Sequence, residues 1–223
     1  MNPLLLLVTY GVVFTYMLPV ARAPGTTPYF LFLFCGILPW TWFQSAIAES
    51  AGVLIAGSNL IKKVLFPAEV LPAVTVLANL MHFLFGLPVL LAFLLAYGKL
   101  SRTALLLPLP MLVQLVFTLG LAFFVSALTV HFRDVQSLLT HLLHLWFFAT
   151  PVIYSMEAVS GPFRTVLRLN PMTHVLVSYQ EILFYGTFHH ARGLLLAAVA
   201  SLAALVAGAA FFDRLRDTFA EEV

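Results

Sequence analysis

The sequence predicts an all-α integral membrane protein with six transmembrane helices and two short re-entrant helices between the fifth and sixth spans. Two features of the composition lead to this fold class: 62% of the 223 residues are apolar and only 9% are charged. The mean hydropathy is correspondingly high, at +1.03. A soluble domain carries about 25% charged residues because its surface faces water. This chain has too few charges for such a surface, so most of it must contact lipid.

Six segments are long and apolar enough to cross a bilayer, which takes about 20 residues of α-helix. Turn-forming residues or charges separate these segments, and no soluble domain fits between them. We therefore expect a single transmembrane domain over residues 1–223. The predicted spans are residues 3–20, 29–48, 71–97, 104–130, 138–154 and 193–212.

Two long connections, residues 49–72 and 157–192, are unlike simple loops. The second keeps short apolar stretches at 165–169 and 173–184, and each stretch is too short to span. Non-helical backbone survives at membrane depth only where protein or water satisfies its hydrogen bonds. We therefore expect 157–192 to hold two re-entrant or interfacial helices beside a pathway or gate.

Charge, cysteine and histidine content exclude several functions. The formal net charge of +2 is too small to indicate a nucleic-acid partner. The lone Cys35 lies in an apolar run, which excludes a disulfide framework. His141 and His144 share a helix face, but no carboxylate or cysteine accompanies them at zinc-like spacing, so packing is favoured over metal binding. We expect no metal, no cofactor and no catalytic residue on this chain.

The connection at 49–72 contains adjacent lysines, two prolines and a short amphipathic stretch. The stretch predicts a helix that ends at Pro67, because proline disfavours helical geometry in the residue before it. Such a helix suits docking into a groove on a soluble partner. The alternative is an interfacial loop whose lysines lie at the lipid headgroups. The residues expected to contact a partner are Asn59, Leu60, Lys62, Lys63, Phe66, Pro67 and Glu69.

This stretch resembles the first cytoplasmic loop of ABC-2 type permeases, in particular exporters of polysaccharides and polyol phosphates such as O-antigen, capsule and teichoic acid. Three further motifs agree with that family in order and spacing, and the resemblance covers nearly the whole chain. The motifs are Phe132-Arg133-Asp134-Val135 after the fourth span, Thr150-Pro151-Val152-Ile153-Tyr154 at the end of the fifth, and Leu169-Asn170-Pro171-Met172-Thr173 at the second re-entrant piece.

The resemblance implies a different function for each loop region of the chain. The loop after the second span would carry a coupling helix that receives the stroke of a separate ATPase subunit. Phe132, Arg133 and Asp134 would form a second cytoplasmic loop, and both termini would be cytoplasmic. Basic residues leave the orientation open, with five on one side and six on the other. The short helices before the last span would form an outer gate, with Thr150, Pro151, Tyr154, Asn170, Pro171 and Glu181 as its expected residues.

ATP hydrolysis has to come from another chain. Residues 52–59 have a spacing like that of a phosphate-binding loop, but Ser58 stands where the lysine is required and no strand precedes it. The expected partners are an ABC ATPase subunit that holds ATP and Mg, a second copy of this chain, membrane lipid, and a glycan or lipid-linked glycan. The expected location is the bacterial inner membrane.

The leading hypothesis is the permease subunit of an ABC exporter for a lipid-linked polysaccharide or similar surface glycan. A drug or antibiotic exporter of the same family would share the fold. A secondary transporter should carry intramembrane acids, and a lipid-processing enzyme should carry a nucleophile or metal cluster. Glu181 either lines a pore mouth or is a solvent-facing carboxylate.

Two features concern the ends of the chain. Similar permeases begin with a basic amphipathic helix before the first span, and none precedes it here, so we expect a late start codon or a truncation. The last span carries Ala200, Ala204 and Gly208 at four-residue spacing. Small residues in this pattern permit close helix approach, either within one subunit or between two.

Overall fold

A computed structural model of the chain describes residues 28–59 and 67–219. This part is built from α-helices and short helical turns, without a β-strand in the two described ranges. A π-helical turn, Glu181–Tyr185, follows the sixth α-helix directly. The α-helices are α1 Tyr29–Ala56, α2 Val70–Ala96, α3 Pro108–His131, α4 Val135–Phe148, α5 Pro162–Leu169, α6 Pro171–Gln180 and α7 Ala191–Leu215.

Four of the described helical segments are long and apolar enough to cross a membrane. They agree with the second, third, fourth and sixth predicted spans, although α1 continues to Ala56 instead of ending at residue 48. The extension is well packed, because Ser50, Ala51 and Leu54 are buried. The first predicted span, residues 3–20, lies outside the described residues.

The fifth predicted span differs most from its expectation. Its helix, α4, has 14 residues and ends at Phe148. At 1.5 Å per residue it is about 21 Å long, too short to cross a core of about 30 Å without a continuation. The predicted end at residue 154 is wrong, because Pro151 disfavours helical geometry in the residue before it and residues 149–154 form a turn. The described residues do not establish six spans.

Helix α1 is the centre of the bundle, and aromatic side chains hold other helices around it. Phe43 stacks on Phe117 of α3 with ring centroids 5.9 Å apart, and meets Trp146 of α4 edge-on at 5.3 Å. Trp40 packs edge-on against Phe147 at 5.7 Å. Such aromatic pairs contribute about 0.5–1.5 kcal/mol each beyond area burial. These rings therefore form a packed core in the middle of the bundle.

Helices α3 and α7 approach each other closely through small residues. A Cβ built on Gly120 would lie 2.5 Å from the carbonyl carbon of Ala204, and one on Gly208 would overlap the carbonyl oxygen of Gly120. The small-residue face of the last span therefore packs within one chain, which answers the question that the sequence left open.

The bundle has two ends, which we name after one glutamate at each. At the Glu69 end, Leu54 of α1 packs with Ala68, Val130 and Phe212. At the Glu181 end, the first turn of α1 meets the segment before α5, where the Tyr29 hydroxyl donates to the carbonyl of Ile153. Helix α1 connects the two ends over about 40 Å.

Candidate functional site

The residues predicted to contact a partner lie at the Glu69 end, as far as they are described. Asn59 and Pro67 are exposed and border the gap between the described ranges. Glu69 is half-buried and forms an ion pair with Arg216 just after α7, with Oε1 to Nη1 at 3.8 Å. Exposed pairs of this kind contribute little to stability. Leu60, Lys62, Lys63 and Phe66 lie outside the described residues.

The predicted loop Phe132–Asp134 lies at the same end. It links α3 to α4, and Phe132 is 63% exposed and is followed by the exposed, oppositely charged Arg133 and Asp134. Gln136 lies against the last turns of α1, since a Cβ on Gly52 would be 3.1 Å from its Nε2. The fold thus groups this loop with Asn59, Pro67 and Glu69 at one end of the bundle.

The expected gate residues lie at the Glu181 end, where Asn170 joins two elements. Its Nδ2 donates to the Thr150 hydroxyl at 2.9 Å and to the Ala149 carbonyl at 3.1 Å. Its Oδ1 accepts from the backbone N–H of Met172 at 3.0 Å, which caps α6, and Pro171 occupies the first position of that helix. Asparagine is a preferred N-cap and proline a preferred first residue. The Asn-Pro pair therefore starts α6 and attaches it to the end of α4.

The turn after α4 is held from three sides. The Pro151 carbonyl accepts from Nε2 of Gln180 at 2.8 Å, and the Tyr154 hydroxyl donates to the Phe148 carbonyl at 2.8 Å. On the third side, a Cβ on Gly36 of α1 would lie 2.5 Å from the Val152 carbonyl oxygen. Only a glycine allows the turn to lie this close to α1, so the turn, α1 and α6 are packed as one unit.

Glu181 begins the π-helical turn and holds the start of the last span. Its Oε2 accepts from the backbone N–H groups of His189 at 2.7 Å and His190 at 2.9 Å. A carboxylate at this position also interacts favourably with the N-terminal end of the α7 dipole. Glu181 is half-buried and lines a cavity.

A cavity of about 560 Å³ opens at the Glu181 end. It is lined by two charged residues that no sequence motif singled out, Arg164 and Arg168 of α5. Their spacing of four residues puts both on one face of a helix. That spacing, with apolar residues on the opposite face, is the signal that identifies them. The lining also includes Glu181, His174, Tyr185 and His190.

Two histidines form a stacked pair in the cavity wall. The rings of His174 and His190 are 5.0 Å apart, with Nδ1 of the first 2.7 Å from Nε2 of the second. Nε2 of His174 lies 2.8 Å from the Arg168 carbonyl, which can only accept, so this nitrogen donates. Burial lowers the pKa of His190, and the nearby His174 and Arg168 add to this effect while Glu181 opposes it.

The other predicted histidine pair is arranged differently. His141 and His144 are exposed on α4, and Nδ1 of His144 lies 2.8 Å from the carbonyl of Thr140 on its own helix. No group of three potential ligands that could hold a metal ion occurs within residues 28–59 and 67–219.

The long apolar helices define a multi-pass membrane protein, with charged loops at one end and a polar cavity at the other. The chain belongs to the ABC-2 type transporter family, whose sequence profile matches residues 1–184, and it is a membrane permease. It is similar to the O-antigen export system permease protein RfbA of Myxococcus xanthus, with 36% identity over 226 positions that cover 100% of this chain and 85% of the relative. Two proteins of that name from Klebsiella pneumoniae are 32% and 29% identical, each over 99% of this chain and 84% of its own length.

Proposed function

We propose that this chain is the membrane-spanning subunit of an ABC exporter that moves a lipid-linked polysaccharide or similar glycan across the bacterial inner membrane. The observation that carries the proposal is the 36% identity to an O-antigen export permease over the full length of the chain. In this proposal the chain performs no chemistry, and a separate ATPase subunit binds and hydrolyses ATP with Mg.

The ATPase docks at the Glu69 end in this proposal, with residues 49–72 as the coupling region. The exposed Phe132, followed by the charged Arg133 and Asp134, supports it, because an accessible aromatic ring next to charged residues suits a protein interface. Asn59 and Pro67 are also exposed at this end. Since α7 ends beside Glu69, the C-terminus is then cytoplasmic, and an even number of spans puts the N-terminus on the same side.

A second copy of the chain completes the transport path in this proposal, and α4 supplies the argument. Only Leu139 and Leu143 of its 14 residues are buried. Its exposed surface mixes leucines with polar Gln136, Thr140 and His144. Polar side chains that face hydrocarbon are costly, whereas a partner or an aqueous path satisfies them. A path between two copies also offers a long polar substrate more room than one bundle does.

The outer gate is formed by the region 157–192 and the turn before it. ATP-driven closure of the ATPase subunits pushes the coupling region, and α1 carries the displacement to the Glu181 end. Support comes from the contacts of the turn with α1 at Gly36 and with α6 at Asn170 and Gln180. Because these elements are packed together, a shift of α1 has to move the turn and α6 with it.

The proposal is tested by export in cells. In a strain that lacks this gene, surface glycan should be lost and lipid-linked glycan should accumulate inside, and the cloned permease with its ATPase should restore export. Unchanged surface glycan in the deletion strain would contradict the proposal. Loss of resistance to an antibiotic with surface glycan intact would instead assign the chain to the drug exporters of the same family.

A further inference from the structure

Helix α5 exposes three apolar side chains, while its two arginines line a cavity. Phe163, Val166 and Leu169 are 74%, 61% and 79% exposed. Arg164 and Arg168, by contrast, line the cavity at the Glu181 end. A helix on a water-soluble core packs its apolar face inward and leaves its charges outside. Leu167 is buried and Arg168 is partly open to solvent, but both arginines of α5 line a polar space that suits a polar occupant.

Glu157 and Glu181 also line the cavity, but among the described residues neither forms an ion pair with the two arginines. The ion pair found within residues 28–59 and 67–219 joins Arg216 to Glu69 at the other end of the bundle. Nε of Arg164 is buried and lacks a hydrogen-bond partner among the described residues, as does the Thr173 hydroxyl in the same wall. A buried donor without an acceptor costs about 1–3 kcal/mol. An oxyanion in the cavity would be bound by the terminal guanidinium nitrogens, since arginine binds carboxylate and phosphate in a bidentate manner.

The opposite side of the cavity suits a ligand with hydroxyl groups. The backbone N–H groups of His189 and His190 both bind Oε2 of Glu181, so Oε1 remains an acceptor toward the cavity. Tyr185, 39% exposed, adds an aromatic face and a phenol. A volume of about 560 Å³ falls within the range of small-molecule sites. The wall thus combines anion donors, a hydroxyl acceptor and an aromatic ring.

We propose that this cavity binds an acidic sugar unit, with its carboxylate or phosphate held by Arg164 and Arg168 and its hydroxyls by Glu181. The inference rests on the proposed function and narrows its substrate class to glycans that carry an anionic group. The site lies at the end of the bundle opposite the ATPase docking region, so it takes the sugar on the outer side of the path. Arg164 and Arg168 are its specificity-determining residues.

The test measures binding to the permease–ATPase complex in nanodiscs of phosphatidylcholine by isothermal titration calorimetry. The probe is trigalacturonic acid, and maltotriose is the neutral control of equal length. The acidic sugar should bind at least about tenfold more tightly than the neutral one. Arg164→Gln and Arg168→Gln should each weaken acidic-sugar binding about tenfold. The charge-retaining R164K should weaken it less.

Arg192 provides a matched control. It is exposed in the first turn of α7, at the same end of the bundle, and does not line the cavity. Arg192→Gln should therefore leave binding of the acidic sugar unchanged. Equal affinities for the two sugars, or equal effects of R164Q and R192Q, would overturn the proposal.

A second experiment tests whether the arginines bind a sugar or a lipid headgroup. In nanodiscs that contain phosphatidylglycerol, bound lipid is counted by native mass spectrometry for the wild type and R164Q. Retention of that lipid through Arg164 without any sugar binding would assign the arginines to headgroups and overturn the inference. The inference would also be overturned if the wild type exports glycan and R164Q and R168Q export it equally well. Absence of glycan export by the wild type would instead contradict the proposed function itself.

Discussion

At the scale of single residues, the fold depends on a few positions where close contacts allow only one type of side chain. Asn170 is the clearest, because its amide donates to Thr150 and Ala149 while its oxygen caps Met172. An aspartate could keep the cap but could not donate. The motif Asn-Pro identified the start of a helix in the sequence, but the attachment to α4 depends on tertiary contacts that no local pattern contains.

Gly36 offers a residue-scale prediction with a control in the same helix. In Gly36→Ala the new methyl group meets the Val152 backbone, whereas in Gly52→Ala it meets only the flexible end of Gln136. We expect G36A to destabilise the permease by about 1–3 kcal/mol, as overpacking does. G52A should be neutral or slightly stabilising, since alanine is the better helix former. Unfolding of the purified proteins in detergent measures the difference. Equal stability of the two variants would show that the turn after α4 can move away from α1 at no measurable cost.

His190 gives a prediction about pH. Because burial and neighbouring positive charge lower its pKa in the folded protein, protons bind the unfolded chain more readily as the pH falls through about 6.5. The contribution of His190 to stability is therefore present above that pH and is lost below it. The melting temperature should fall between about pH 7.5 and about pH 5, and His190→Gln should show a smaller fall. An identical acid loss in H190Q would exclude His190 as a contributor.

At the scale of helices, the apolar runs determine the spans because a bilayer demands about 20 apolar residues, and hydropathy reports this directly. Hydropathy does not predict where α4 ends or how far α1 extends. The run from 138 to 154 is mostly apolar, yet Asn170 and Gln180 bind the carbonyls of a turn inside it. Helix α1 continues past residue 48 because its neighbours bury Ser50 and Leu54.

The α3–α7 contact gives the prediction at this scale. Gly208→Val should push the two helices apart, because even a Cβ overlaps the Gly120 carbonyl. Ala207→Val adds a comparable side chain on the exposed side of the same helix and should be tolerated. We expect a loss of about 3 kcal/mol or more for G208V and less than about 0.5 kcal/mol for A207V. The yield of monodisperse protein on size exclusion, followed by thermal unfolding, provides the measurement. A well-folded G208V would refute the tight packing of these helices.

At the scale of the whole molecule, the two ends of the bundle have different chemical characters. The Glu69 end presents exposed charges and Phe132, and the Glu181 end encloses a polar cavity. The sequence motifs predicted that the segments between spans matter, and the fold groups them by end. The motifs did not identify Arg164 and Arg168, because the sequence of a loop does not show which face of its helix packs inward. That became clear only from the packing of α5.

The central claim is that ATP hydrolysed on a partner drives export through contact at the Glu69 end. Deletion of residues 62–66 tests it most directly, with co-purification of the ATPase and surface glycan measured in the same cells. The account predicts that the deleted permease still inserts in the membrane but loses both the bound ATPase and glycan export. The matched variant Arg192→Gln, at the other end, should keep both. Undiminished ATPase binding by the inserted deletion variant would contradict the account.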